Sequence, residues 1–480
     1  MTENPMLNII SSDFRERVWE ESKKIWNVAF PAMIPKVSQF GTLVVTHFFL
    51  RCISQLHLAA YALGHILDLR IANGVILGMS TATETLCGQA FGAKQYHMMG
   101  IYLQRSWIIN LITATLLLLP IFLFARQIFT ILGEQSDIAS LAGYISLWFI
   151  PMLYFYVFNY TIQNYLQGQL KNSIIGWLSV GSFLINLLLS WIFVKKLHWG
   201  ISGAMSATII ANWLVAIGEF VYIFGGWCPK TWRGFTWVAF SDLFPITKLS
   251  VSSGLMLCLE IWYNSILILL AGYMKNAAVA ISAFSICLNI AGWEFMLCLG
   301  FLISSSVRIS NELGKGDAEA AKFSAKVIAC TSICIGLFFC TLCLIFGNKI
   351  GYLFTNDEKV VEYVSELSFL LSISVLLNSI QCVLSGVAIG AGRQSMVAYV
   401  NIFCFYFVGI PMGLLLGWVV GLEIRGLWMG MQLGVILQSL VLGYITWTTD
   451  WNEQVNRASE RLNKWFPRNS NKSNEESVQE

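Results

Sequence analysis

Charged residues are scarce in this sequence. They make up 12% of its 480 residues, whereas a soluble domain carries about 25%. Hydrophobic residues make up 56% of the chain, and the net charge of +3 gives no reason to expect a nucleic-acid partner. This composition excludes an ordinary soluble globular protein and predicts a polytopic membrane protein in contact with membrane lipids.

The sequence also lacks the residue groups that most enzymes and metal sites need. Its five histidines are scattered in the first half of the chain, and no GxxxxGK[ST] nucleotide loop is present. Nearly all twelve cysteines lie in apolar runs, where they behave as small apolar residues. Cys340 and Cys343 have CxxC spacing, but they have no histidine or carboxylate partner. We therefore expect no enzyme activity, cofactor or metal, with a multipass membrane enzyme as the alternative.

Twelve apolar runs are long enough to cross a bilayer as helices. The segment before the first run is polar and does not have the pattern of a secretory signal, so we expect that run to remain as a transmembrane helix. The predicted fold class is all-α, with twelve transmembrane helices. The runs lie at about 25–50, 56–86, 99–125, 137–165, 173–194, 200–224, 246–273, 277–307, 325–347, 361–387, 396–420 and 426–447.

The loops on the two sides of the membrane differ in positive charge. Those on the side of the N-terminus hold more than twice as many Lys and Arg residues as the opposite loops. The positive-inside rule therefore predicts that both termini are cytoplasmic. We expect a monomer.

The segment after the last run has an amphipathic pattern. Trp451, Val455, Leu462 and Trp465 would share one face of a helix. The pattern indicates either an interfacial helix or an extension of the last transmembrane helix. Residues 467–480 are rich in Asn, Ser and Glu, and we expect them to be disordered.

Two pairs of similar loops are separated by the same distance along the chain. GQAFG at 88–92 corresponds to SNELG at 310–314, and the loops that begin at Gly168 and Gly390 have the same separation. We call this separation the repeat offset. A shared offset predicts two pseudo-symmetric six-helix lobes with the same topology. The predicted segments are 1–24 (N-terminal segment), 25–225 (N-lobe), 226–245 (linker), 246–449 (C-lobe) and 450–480 (C-terminal tail).

The seventh run carries one deep acid, Glu260. A carboxylate at that depth is costly unless it is protonated, paired or facing water, so it is by default a functional-site hypothesis. The alternative is a protonated acid that is hydrogen-bonded between helices. Ser253 and Asn264 share its helix face, and the neighbouring Tyr263 would suit a flat organic solute.

Further deep polar residues lie in the eighth and tenth runs. Glu294 is a second deep acid, and Asn289 is a polar candidate on a different face of the same helix. On the tenth run, a polar stripe includes Asn378 and Gln381. We predict that Asn264, Asn378 and Gln381 lie in one hydrogen-bond network with Glu260, although such stripes also serve ordinary contacts between helices.

The N-lobe carries its own charges inside apolar runs. Lys36 on the first run and Asp68 on the second are expected at comparable depth. We predict that they form a buried pair. The alternative is that Lys36 extends alone towards the membrane surface. Glu84, near the end of its helix, is expected to be a structural anchor.

Several motifs together resemble those of plant multidrug and toxic compound extrusion (MATE) transporters, also called DETOXIFICATION proteins. They are TATETLCGQAFG at 81–92, CLEIWYN at 258–264, SVRISNELG at 306–314, LSGVA at 384–388 and GIP at 409–411.

The resemblance implies two lobes around a central cleft and export of small organic solutes against inward movement of H+. It also implies that Glu260 takes part in cation coupling. Two positions depart from the family pattern. Ser265 stands where many relatives have a second Glu, and Asn378 stands where many have an Asp. Glu294 or Asn378 is therefore a candidate for the second coupling position. A flippase for a lipid-linked substrate is the closest alternative function.

Overall fold

The computed structural model describes residues 5–51, 55–272 and 277–464. Within these ranges the chain is helical and contains no β-strand. The side chains of the apolar runs can make few hydrogen bonds to the backbone. A helix satisfies the backbone N–H and C=O groups of these runs within the segment itself. Trp465 and the predicted disorder at 467–480 lie outside the described residues.

Twelve of the described helices are long and apolar enough to cross a membrane, as predicted. In the N-lobe they are α1 (Phe14–Arg51), α2 (Leu56–Gly92), α3 (Tyr96–Leu123), α4 (Ser136–Gly168), α5 (Asn172–Lys196) and α6 (Gly200–Trp227). In the C-lobe they are α7 (Leu243–Ile266), α8 (Ser282–Lys315), α9 (Ala318–Gly347), α10 (Glu358–Gly390), α11 (Gln394–Val419) and α12 (Glu423–Thr448).

Helix starts in the C-lobe follow local capping chemistry. The Asp317 carboxylate accepts the Ala320 N–H at 2.9 Å before α9, and Asp357 accepts the Lys359 N–H at 3.0 Å before α10. Each cap satisfies a backbone donor that a helix start would otherwise leave unpaired. Inside the helices, π-helical turns occur at Asp68–Asn73 in α2 and at Ile402–Gly409 in α11. Such turns locally redirect the side chains around them.

Each lobe has its own buried core, and a limited set of helices joins the two. One core extends from Phe49 to Ala216, and another from Tyr263 to Trp428. The lobes meet where α1 packs on α8 and where α2 packs on α7 and α8. We call the face with the turns at 93–95, 169–171, 316–317 and 391–393 the terminal face, because the helix at the described C-terminal end packs there.

The predicted repeat appears in the contacts between lobes at the terminal face. A Cβ built on Gly92 would lie 2.0 Å from the Asn311 carbonyl oxygen, and one on Gly314 would lie 2.1 Å from the Gln89 oxygen. Gln89 and Asn311 are themselves related by the repeat offset. Only glycine allows this approach of one backbone to another. We call these four residues the glycine seal.

A separate helix, α13 (Trp451–Lys464), follows α12 after an extended Thr449. The chain therefore does not continue α12 as one long helix. The apolar face of α13 packs on protein, since Trp451 is buried with the C-lobe and Leu462 with the N-lobe. Arg461 donates hydrogen bonds to the Ala391 and Gly392 carbonyls at 3.1 and 3.3 Å. Burial lowers the pKa of this guanidinium.

Candidate functional site

Glu260 lies on α7 beside the polar stripe of α10. The Gln381 side-chain amide donates to Glu260 Oε1 at 2.8 Å, and the Glu260 side chain is only partly buried. The hydrogen bond orients the carboxyl group, while the remaining exposure leaves it accessible. Such an acid can exchange a proton and remain held in one position.

Glu294, on α8, is the more enclosed of the two acids, with 4% exposure. Its Oε1 accepts hydrogen bonds from Cys298 at 2.5 Å and from Ser379 at 2.8 Å, while its Oε2 has no partner. Asn378 also interacts with this carboxyl. The α10 stripe thus faces both acids, with Gln381 at Glu260 and Asn378 at Glu294.

The Cys382 thiol connects the surroundings of Glu260 with those of Glu294. It interacts with Cys298 and lies close enough to both Glu260 and Glu294 for their charges to act on it. We call Glu260, Gln381, Glu294, Ser379 and Cys298 the acid site. Within the C-lobe, the acid site is therefore a continuous polar group along one side of α10.

Three predicted members of this group are placed elsewhere. Asn264 is exposed and donates to the Glu260 backbone oxygen of its own helix, so this bond does not reach the Glu260 carboxyl group. Ser253 is buried and bonds the Leu249 oxygen. Asn289 is exposed and bonds the Ser285 oxygen. Each has its hydrogen bond satisfied within one helix turn.

Tyr263 also points away from the acid site. Its ring stacks on Phe405 with centroids 4.4 Å apart, and its hydroxyl donates to the Met431 oxygen at 3.1 Å. Positions 260 and 263 lie only about 60° apart around a helix, so it is the packing of Tyr263 against Phe405 of α11 that keeps it from the acid site. The residue therefore belongs to the packing of the C-lobe core.

Lys36 and Asp68 do not form the predicted pair. Asp68 accepts a hydrogen bond from the Tyr156 hydroxyl at 2.7 Å, whereas the Lys36 ammonium lies 5.4 Å from the centre of the Tyr160 ring. Tyr156 and Tyr160 stack with an interplanar angle of 5°. The two tyrosines on α4 occupy the space between the charges. The expected alternative of a lone lysine at the membrane surface also differs from the structure, because Lys36 lines a cavity inside the N-lobe.

That cavity is bounded by α1, α4, α5 and α6 and has about 400 Å³ of empty space, including its open mouth. Ten of its thirteen lining residues are polar or charged, and Lys36 is the one charged residue among them. We call it the N-lobe cavity. It is separate from the acid site, which lies in the other lobe.

A buried acid of the N-lobe, Glu219, was missed by the sequence reasoning. It has 0% exposure and accepts a hydrogen bond from Gln163 at 3.1 Å. Gln163 also bonds Asn159, and both line the N-lobe cavity. The sequence does contain a signal for this residue, because Glu219 is the one acid in its apolar run.

The contacts between lobes are concentrated near the terminal face. Arg308 makes a bidentate ion pair with Glu21, with N–O distances of 2.8 and 3.1 Å, and Thr85 donates to the Ile389 oxygen at 2.7 Å. Glu84, the predicted anchor, is buried at this interface. Two further cross-lobe contacts lie deeper along the helices, the hydrogen bond from Trp262 to the Arg70 oxygen and the ring contact of Phe40 with Trp293 at 4.7 Å. The structure is therefore a state that is closed at the terminal face.

The family model described as MatE matches the chain twice, at residues 31–192 and 253–415. The starting positions of the two matches, 31 and 253, differ by the repeat offset of the loop pairs. The repeat is therefore present over most of both lobes.

Full-length relatives are similar to this chain. Protein DETOXIFICATION 24 of Arabidopsis thaliana is 48% identical over 466 residues, which are 97% of this chain and 93% of that protein. Protein DETOXIFICATION 25 of the same plant is 50% identical over 451 residues, which are 94% and 90% of the two chains. The crystal structure of the eukaryotic MATE transporter AtDTX14 superposes with a TM-score of 0.88 at 29% identity, covering 93% of this chain and 99% of that one.

Proposed function

Since the chain belongs to the MatE family of secondary transporters, which export organic compounds, we propose that it drives this export by inward movement of protons. The protein is an integral multi-pass membrane protein. The proposal extends to topology: the terminal face is cytoplasmic, in the plasma or vacuolar membrane, and the present state opens to the opposite side. Segments 25–225 and 246–449 are the units that move.

Glu260 carries the proton in this proposal, and its contact with Gln381 is the observation that supports it. The acid is partly accessible and is held by one neutral donor, with no cation in ion-pair contact among the described residues. A carboxyl with these neighbours has no fixed positive charge that would hold it ionised. It can therefore take up a proton from the acidic side and release it towards the neutral side.

Glu294 is the second proton-binding residue of the proposed mechanism, together with Asn378. Its Oε1 already accepts two hydrogen bonds, and its Oε2 is free to carry a proton. Because both acids face α10, protonation of one changes the hydrogen bonds that this helix makes to the other. For exchange, the proton must favour a state that binds the solute less well, and the shift is limited by its difference in affinity between the states.

The proposal includes no catalytic step, and it needs no cofactor besides the coupling proton. In this proposal the protein acts as a monomer. A lipid-linked substrate is the second candidate, but no described feature favours it over a small organic solute.

The test is Glu260→Gln in proteoliposomes loaded with a fluorescent organic solute under an imposed pH gradient. The amide preserves the shape of the side chain and can still accept the Gln381 hydrogen bond. We expect gradient-driven transport to be abolished while the purified protein remains monodisperse. Glu294→Gln is expected to impair transport less.

Glu362→Gln is the matched control, because Glu362 is exposed at the other end of α10. It should transport at the wild-type rate. Wild-type transport with unchanged pH dependence in Glu260→Gln would show that this acid is structural. A gradient of Na+ in place of H+ tests the coupling ion directly.

A further inference from the structure

We propose that the N-lobe cavity binds the anionic end of the exported solute, a carboxylate group, through Lys36. The inference rests on the export function proposed above, since it names a chemical class for the solute. It does not depend on which residue carries the coupling proton.

The cavity is built to hold a polar group. On its walls Gln39 and Asn159 carry amide groups and Ser38 carries a hydroxyl, whereas the amide N–H groups of Gln163 and Asn212 are already bonded within the N-lobe. Side-chain amides and hydroxyls can donate to carboxylate oxygens from several directions. The cavity is open on one side, and its empty space of about 400 Å³ includes this mouth. It suits the end group of a solute whose remaining part extends from the open mouth.

Lys36 is the cation of this cavity, and among the described residues it has no ion-pair partner. The Tyr160 ring, 5.4 Å away, provides a weak cation–π contact. An ammonium group that has lost much of its water is costly without a partner anion. A bound carboxylate would supply that partner through a charge-assisted hydrogen bond.

The acids around Lys36 are engaged in other contacts. Asp68 accepts from Tyr156, and Glu219 accepts from Gln163 behind the cavity wall. The charge of Glu84 reaches Lys36 through space, but Glu84 lies at the interface with α8 beside Ser306. The space directly before the Lys36 ammonium is therefore left for a ligand.

The internal repeat gives an independent argument. Shifted by the repeat offset, Ser38 corresponds to Glu260 and Asn159 corresponds to Gln381. The N-lobe cavity thus occupies the position that the acid site occupies in the C-lobe. In the N-lobe, Ser38 stands at the position of the acid, and Lys36 lies two residues earlier. The two equivalent sites carry opposite charges, which suits one for a proton and the other for an anion.

The experiment is equilibrium binding of radiolabelled benzoate to the purified full-length protein, with benzamide as the neutral competitor of the same shape. We expect saturable benzoate binding and at least about tenfold weaker competition by benzamide than by unlabelled benzoate, because only the anion gains the charge-assisted bond. Lys36→Met should weaken benzoate binding by at least about tenfold, and Lys36→Arg should retain most of it.

Lys195→Met is the matched control, since Lys195 is exposed at the end of α5, outside the cavity. It should bind benzoate as the wild type does. Absence of saturable benzoate binding, or equal binding by wild type and Lys36→Met, would overturn the proposal. Benzoate binding is measured at equilibrium without a gradient, whereas the Glu260→Gln test measures gradient-driven transport. Failure of proton coupling and failure of the anion site are thereby separate results.

Discussion

The glycine seal makes the closed terminal face sensitive to a single methyl group. In Gly92→Ala the added carbon would lie 2.0 Å from the Asn311 oxygen and 2.9 Å from the Lys315 nitrogen. Both are backbone atoms, so no side chain can rotate away, and α2 must move from α8 by more than about 1 Å to restore ordinary contact. Overpacking of this kind costs about 1–3 kcal/mol.

That cost applies only while the terminal face is closed, since the contact is absent when the lobes separate there. A difference of about 1–3 kcal/mol shifts a two-state equilibrium by about 5- to 150-fold. We therefore expect Gly92→Ala to populate the state that is open at the terminal face and to slow transport, which needs both states.

The assay is the distance between spin labels on unnatural amino acids at Lys230 and Lys322, both exposed, the first in the linker segment that is hydrogen-bonded to the N-lobe and the second on α9 of the C-lobe. The longer distance should gain population in Gly92→Ala. Gly181→Ala is the control, because its new methyl would meet nothing within 4 Å. An unchanged distance distribution and wild-type transport in Gly92→Ala would refute the steric reasoning.

Two further contacts at the terminal face give separate predictions. Glu21→Gln removes the carboxylate that joins Arg308 to α1 and leaves Glu312 as its ion-pair partner, so it should destabilise the closed state, seen as a lower unfolding temperature. The double variant Glu21→Gln with Arg308→Met should recover part of that loss. Arg461→Gln should release α13 from the Gly392 carbonyl and speed proteolysis near this helix, whereas Arg457→Gln, in an exposed ion pair, should not.

Sequence periodicity was sufficient for the large-scale organisation. Run length predicted the twelve helices, and the offset between Gly168 and Gly390 predicted the repeat. Both predictions need no knowledge of tertiary contacts. The bilayer thickness fixes the length of a spanning helix, and a duplicated fold keeps a constant sequence separation between its two copies. The 3.6-residue period also indicated that Gln381 faces inwards, and the structure brings it to Glu260.

The same period could not identify the partners of each residue. Asn264 shares a helix face with Glu260, but a local bond to the backbone satisfies its side chain. Lys36 and Asp68 lie at similar depth, yet the tyrosines of α4 stand between them, and only the packing of α4 against α1 and α2 determines that. Neither the π-helical turns nor the Cys298 bond to Glu294 has a distinct signal in a single sequence.

The glycine seal has the form of an isologous dimer interface, in which residue i of one subunit meets residue j of the other and j meets i. Gly92 meets Asn311, and Gly314 meets Gln89, so the single chain joins its halves as a two-fold dimer would. Because these contacts involve backbone atoms, they constrain few side chains elsewhere. One half can therefore hold an acid and the other a lysine at equivalent positions, while the interface that joins the halves stays symmetric.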